Sequence, residues 1–325
     1  MITHPFNDYH IKIITPVHIG NDTQINPLMF HHAGDYVYTY ALDDVAKSIE
    51  NPKKLLDIKH SRVTLKSVIG EALLKQLKPL KTIHYWGDEK DVSHQEMELL
   101  VSENHENFLP GSSIKGSILH AIEFKNFELL MKGDKSAFFD IINRFSKSFA
   151  VPDLYFNELE TAIQRGMRVT TANKHNKKNN QKQDNYKEWF MLGTTKHFNA
   201  YFRNEETAYV LKAIHDFTAR FLTYQRSYYQ YILDQMNLTN YPLSFDEVQG
   251  IIKQVERLIA INKEDEPLLI LGRNTHRYSK SNELYFNDYY KKTPGKNKKH
   301  PVSRLLVYDA VDSLTIPGMV HIKKR

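Results

Sequence analysis

The chain contains no cysteine, which excludes disulfides and cysteine-based zinc sites and fits a reducing compartment. It also lacks any apolar run near the roughly 18 residues needed to span a bilayer, and its first residues carry no secretory signal pattern, so the expected location is cytoplasmic. Sixteen histidines are present, yet none forms a His-x-x-x-His pair or a His-Glu-x-x-His motif. The one adjacent pair, His31 and His32, would point to opposite faces of a strand. Neither a Gly-x-Ser-x-Gly elbow nor a dinucleotide-binding fingerprint occurs. Metalloenzyme, serine-hydrolase and nucleotide-cofactor readings lose their usual footing.

What is there is a 325-residue chain, 41% hydrophobic, with a net charge of +6. That length can bury a sizeable core. The charge is unevenly placed. Residues 165–187 hold seven lysines or arginines against one acid, Asp184; residues 291–300 hold five lysines and no acid; Lys323, Lys324 and Arg325 add three more cations. The rest of the chain is net acidic. Cationic segments on an acidic body suit a polyanion-binding protein within an assembly, and equally describe solvated loops.

One stretch organises the reading: Leu109-Pro110-Gly111-Ser112-Ser113-Ile114-Lys115-Gly116-Ser117. Pro110 and Gly111 mark a turn, and Ile118, Leu119, Ile122, Leu129 and Leu130 then recur at helical spacing. A glycine-bounded loop feeding a helix offers backbone N–H groups and a positive dipole end, to which two hydroxyls and an ammonium are added. A nucleotide-binding P-loop places its lysine directly after the second glycine, whereas Lys115 precedes Gly116. The spacing favours gripping a nucleic-acid backbone over hydrolysing a nucleotide. The alternative is an ordinary helix start with Ser112 or Ser113 as N-cap.

The segment 109–116 is similar to the loop of the RAMP superfamily, the repeat-associated RNA-binding subunits of CRISPR effector complexes. Three further blocks follow in order. Thr15-Pro16-Val17-His18-Ile19-Gly20 resembles the strand-and-turn opening of the fifth Csm subunit of type III-A complexes. Val151-Pro152-Asp153 falls where that family carries a short strand with an aspartate, and Leu268-Leu269-Ile270-Leu271-Gly272-Arg273-Asn274-Thr275 resembles its late strand and glycine-rich turn. Two departures stand out: Asn274 and His276 replace further glycines of that turn, and Pro152 replaces a more usual serine.

The resemblance implies an α+β fold with an RRM-like, ferredoxin-type core and helical and loop insertions. It implies a non-catalytic subunit without a cofactor, bound to the 3′ part of the CRISPR RNA, capping the Csm filament and aiding guide maturation. Its partners would be other Csm subunits, recruited host nucleases and, indirectly, target RNA, with no membrane. Superfamily relatives that cut RNA use a histidine, so the competing reading is a metal-independent endoribonuclease using His18 with Lys115. The residues assigned to RNA are His18; Pro110, Gly111, Ser112, Ser113, Lys115 and Gly116; Arg165, Arg168 and Lys174; Met191; and Gly272, Arg273 and Arg277.

Along the chain, residues 7–20 read as a strand ending at a turn, and 36–43 as a second strand in a hairpin, followed by a helix that Asp43 and Asp44 cap. Residues 51–100 read as a polar helical insertion. Asp153 is a metal ligand or base in one reading and a turn or N-cap residue in the other. Residues 160–200 resemble the family's thumb, with Met167 and Met191 as candidate wedges against a splayed base, core packing being the alternative for Met191. Helices over 205–236 and 244–261 carry an aromatic stripe, Tyr209 to Tyr231, suited to a core or to a partner. A central strand, 267–271, and the last strand, 303–308, complete the expectation of a core domain to residue 203, a helical subdomain over 204–265, and C-terminal strands from 266.

Overall fold

Period-two alternation builds the first sheet. In strand β1 (Asn7–Ile13), Tyr9, Ile11 and Ile13 are buried while Asp8 and Lys12 face water, as expected of a strand with one wet face. The computed structural model describes residues 7–49, 63–87, 92–171, 181–200, 204–236, 241–272, 302–308 and 313–324. In it β1 lies between β12 (Thr195–Ala200) and β16 (Met319–Lys324), with β13 (Leu268–Ile270) at the far edge, all antiparallel.

Among the described residues the α-helices, in chain order, are α1 (Leu42–Ser48), α2 (Leu65–Leu74), α3 (Gly111–Met131), α4 (Lys135–Ser148), α5 (Asn204–Gln235) and α6 (Phe245–Ile261). α3, α5 and α6 enclose one continuous core with the apolar face of the four-stranded sheet, the helix-on-sheet layering of an α+β domain. The stripe predicted on α5 mostly faces that core: Ile214, Phe217 and Phe221 are buried, whereas Tyr231 is exposed. α6 starts where the sequence suggests, because Ser244 and Glu247 form a reciprocal capping box.

A larger sheet runs in the order β2 (Gly20–Ile25), β6 (Met97–Leu100), β11 (Gln181–Phe190), β10 (Thr161–Thr171), β5 (Lys81–Trp86), β4 (Tyr36–Thr39), β3 (Phe30–Ala33). β14 (Val302–Tyr308) pairs with the later half of β10 and with β15 (Leu314–Thr315). A small third sheet, β7 (Ser102–Glu103), β8 (Glu106–Leu109) and β9 (Leu154–Phe156), delivers the chain to α3. The predicted hairpin is β3–β4.

Two expectations are corrected. Within the described part of 51–100 the helical reading holds over α2 and fails from Lys81 onward, where β5 and β6 join the larger sheet and bury Ile83, Tyr85, Met97 and Leu100. In β5 a lysine at an inward position, Lys81, and a tryptophan at an outward one, Trp86, obscure the alternation. The strand at 268–270 is not central but an edge strand, buried because helices cover its free side. Thr218 on α5 donates to the Leu268 carbonyl at 2.5 Å, and Ser117 on α3 donates to the carbonyl of Ile270. Side-chain hydroxyls thus close an edge that another strand would otherwise pair with.

Candidate functional site

The predicted loop is already helix. α3 begins at Gly111 with Pro110 as its N-cap and no side-chain cap, so Ser112, Ser113, Lys115 and Gly116 occupy its first two turns. The anion at this helix end belongs to the protein. Asp153 accepts a hydrogen bond from the Gly111 N–H at 2.7 Å, and the Ser113 N–H is taken by the Pro110 carbonyl at 2.9 Å. A carboxylate placed against the positive end of a helix dipole is favourable. It occupies the position the sequence reserved for a phosphate, and Asp153 takes a long-range role at the start of α3, whose own N-cap is Pro110.

Glycine at 111 answers a close approach. A Cβ there would lie 2.0 Å from the Val151 carbonyl oxygen and 2.7 Å from that of Pro152, so only hydrogen lets the two backbones meet. Lys115 reaches back along the same segment, donating to the Phe149 carbonyl at 3.1 Å with its ammonium 5.3 Å from the Phe149 ring centre. Ser112 is exposed, and Ser113, Lys115 and Gly116 are half-buried. A hydroxyl and part of an ammonium therefore remain on the surface beside the helix start.

The four motif blocks converge. Gly111 meets 151–153, Ser117 meets Ile270, and Gly272 meets the N-terminal turn. Gly272 has φ +96°, and a Cβ on it would sit 2.7 Å from the His18 carbonyl oxygen. Gly318 locks the same corner, accepting from the Leu271 N–H at 2.7 Å and donating to the Pro16 carbonyl at 2.9 Å.

His18 turns inward. Its side chain is 2% exposed, Nδ1 donates to the Glu188 carbonyl at 2.7 Å, Nε2 lies 3.3 Å from a Glu98 carboxylate oxygen, and its ring packs edge-on to Trp189. This corrects its assignment as a surface RNA contact: the imidazole is enclosed and engaged on both nitrogens. Hydrogen bonding from His18, then from Lys187, holds the Glu98 carboxyl down at about 2, against the opposing effect of burial.

Lys187 and Glu188 were hidden in a stretch that reads as cationic surface. The Lys187 ammonium is buried and paired with Glu98, and burial lowers its pKa. On the opposite face of β11, Glu188 is fully buried, with Lys81 at 2.6 Å, Asn107 at 2.7 Å, Thr161 at 3.2 Å and the Leu100 N–H at 3.1 Å. Every one of these contacts donates to the carboxylate, which is how a buried charge is tolerated. The signal that could have found it is the Lys-Glu-Trp-Phe sequence at 187–190, a charged pair inside a strand that ends in large apolar residues.

The other assigned residues divide. Arg165 pairs with Asp184 across the β10–β11 hairpin at 2.9 Å, and Arg168 is exposed on β10. Met167 is 0% and Met191 4% exposed, so the wedge role is corrected to core packing, the alternative named for Met191. Lys174, Arg273 and Arg277 lie outside the described residues, as do the 291–300 lysines. Among the described residues one group, His215, Asp216 and Glu264, has the spacing of metal ligands. Lysines already fill it: Lys125 lies 3.1 Å from Asp216, and Lys212 lies 2.5 Å from Glu264. No described helix is long and apolar enough to cross a membrane.

A model of the RAMP superfamily matches residues 10–276. A comparison with curated proteins finds no match. Among solved structures, a chain of a Csm–crRNA–target RNA ternary complex from a type III-A CRISPR-Cas system is similar with TM-score 0.66 and 12% identity, over 98% of this chain and 100% of that one. Csm5 of T. onnurineus is similar with TM-score 0.63 and 12% identity, over 96% and 99% respectively.

Proposed function

Because the chain belongs to the RAMP superfamily, we propose that it is a non-catalytic CRISPR RNA-binding subunit of a type III-A Csm complex. In this reading it holds the 3′ part of the guide at one end of the filament, contacts other Csm subunits, and supports maturation by recruited nucleases. The observation that carries the reading is a fold likeness running the full length of both chains, 98% of this one and 100% of a chain from a Csm–crRNA–target RNA complex.

The geometry supports binding more than cutting. Metal-independent RNA cleavage needs an acid or base within reach of a ribose hydroxyl, and His18 is enclosed between Glu188, Glu98 and Trp189. Asp153 spends its carboxylate on the start of α3. What is exposed suits a backbone: Ser112 and Arg168, with half-buried Lys115 beside the helix start. Such contacts position RNA without reading bases, so binding should tolerate sequence and weaken steeply with salt.

The test is to titrate the purified full chain with labelled single-stranded RNAs of unrelated sequence at several salt concentrations, with and without divalent metal. Salt-sensitive, sequence-tolerant binding without cleavage is expected. Metal-independent cleavage that disappears in His18→Ala would replace this reading with the endoribonuclease.

A further inference from the structure

We propose that the outer face of the small third sheet is a docking surface for an arginine-bearing segment of a partner protein. The inference rests on the reading of the chain as one subunit of an assembly, and adds to it the chemistry of a protein contact.

Composition sets this region apart. Residues 101–110 and 151–160 hold five acids, Glu103, Glu106, Asp153, Glu158 and Glu160, and no lysine or arginine, in a chain whose net charge is +6. Of these, Glu160 is paired with Lys196 at 2.6 Å. Strand register then sorts the side chains. Glu103 on β7 lies directly opposite Glu106 on β8, and Phe108 on β8 lies opposite Tyr155 on β9. The period of two puts Glu103, Glu106, Phe108 and Tyr155 on one face, while Asn107, Leu109, Leu154 and Phe156 on the other are buried. Asn104 and His105, at φ 49° and 70°, form the two-residue turn that holds the two glutamates in register.

The outward four are arranged for a cation. Both glutamates are exposed, Tyr155 is 45% exposed, and its ring centre lies 5.6 Å from that of half-buried Phe108. The Tyr155 hydroxyl donates to Glu103 at 3.0 Å. That hydrogen bond is the leading cause that raises the pKa of the phenol, and the charges of Asp153 and Glu106 add to it. Like charges directly opposite each other on paired strands are destabilising. The face therefore carries a repulsion that a bound cation would relieve.

Chemistry narrows the occupant. A phosphate backbone is repelled by this charge. A metal ion needs converging ligands, and among the described residues the one group with that spacing, His215, Asp216 and Glu264, lies elsewhere. A guanidinium meets both halves of the face, because its planar fork matches carboxylates and its plane stacks on an aromatic ring, whereas an ammonium offers a point charge. Arginine on a protein is thus the occupant that the glutamates and the rings favour together.

The experiment titrates the full chain with a labelled peptide of alternating arginine and glycine, and with its lysine counterpart, at fixed salt. The arginine peptide should bind about two- to fivefold more tightly, the margin of one exposed guanidinium–ring contact. Glu103→Gln/Glu106→Gln should weaken its binding about three- to tenfold without lowering the thermal unfolding midpoint. Tyr155→Ala should erase the preference for arginine over lysine. The matched charge change Asp43→Asn/Asp44→Asn, at exposed positions of α1, should leave binding as it is. No peptide binding, equal affinity for both peptides, or binding that survives the glutamate variant overturns the inference. A midpoint that drops in that variant makes the carboxylates structural and overturns it too. The same proteins are titrated with single-stranded RNA, whose affinity the glutamate variant should not weaken; a weakening would put RNA on this face in place of protein. Failure of the parent chain to bind RNA would overturn the RNA-binding reading and leave the peptide result to stand by itself.

Discussion

Lys115 and Lys187 both come from segments that read as cationic, and the fold puts them in opposite surroundings. Lys115 rests its ammonium on a backbone carbonyl and over an aromatic ring at the start of α3, half-open to water. Lys187 is enclosed within the larger sheet against Glu98, next to a second buried pair, Lys81 and Glu188. A run of charges in sequence therefore gives the sign of a segment and not the side on which it acts. The first region holds its charge where a partner could meet it. In the second, charge is internal, and its cost is offset by donors brought to each carboxylate.

The buried pair should respond most strongly to mutation. Glu188→Ala leaves the Lys81 ammonium, 9% exposed, without its carboxylate, strips Thr161 and the Leu100 N–H of their acceptor, and leaves the Asn107 amide only the Thr161 hydroxyl. A loss of roughly 3–5 kcal/mol is expected in urea unfolding. A loss below about 1 kcal/mol, the range of an exposed ion pair, would erase the contrast between the two regions.

At the helix start the sensitive position is backbone, not charge. Gly111→Ala drives a methyl into the Val151 and Pro152 carbonyls, neither of which is a flexible side-chain end, and should cost roughly 1–3 kcal/mol or more. Gly116→Ala is the matched control: a Cβ there meets nothing within 4 Å, so helix propensity alone should stabilise by about 0.5–1 kcal/mol. If Gly116→Ala destabilises instead, the packing at this junction is tighter than its geometry states.

Glu98 sharpens the comparison through pH. Its carboxyl is depressed from 4.5 to about 2 by His18 and Lys187, so it contributes stability that is present above pH 4.5 and lost as pH falls towards 2. Glu98→Gln should be less stable than the parent at neutral pH by about 1–2 kcal/mol, a figure reduced because the side chain is 33% exposed. The two proteins should converge in chemical unfolding near pH 2. A constant gap down to acid would assign the effect to packing.

These contrasts also explain what could be read in the sequence. β1, the β3–β4 hairpin, α5 and α6 carry clean periodicity or a capping box, and local pattern suffices to place them. β5 does not, because Lys81 at an inward position and Trp86 at an outward one interrupt an alternation that only its partners β4 and β10 make visible. β13 is apolar throughout, the pattern of a central strand, yet two helix hydroxyls cover its free edge. At the candidate site the four motif blocks do mark one place in space. Their glycines, though, record backbone meeting backbone, and the acid that closes the helix start, Asp153, lies 42 residues from the N–H it accepts. Long-range partners of that kind leave no local trace.

The smallest predicted effect is the most informative about function. Lys115 holds the Phe149 carbonyl with one of its three donors, and the remaining two can reach a phosphate at the surface. Lys115→Ala should therefore change stability by less than about 1 kcal/mol and lower RNA affinity alike across unrelated sequences. The slope of log affinity against log salt should become shallower by about 0.7, the value for one phosphate contact on a single strand. Loss of stability with an unchanged slope would make this ammonium a strut for the 149–153 segment, as internal in its purpose as Lys187. A shallower slope with stability kept would instead set Lys115 apart from Lys187 as the cation that faces the partner.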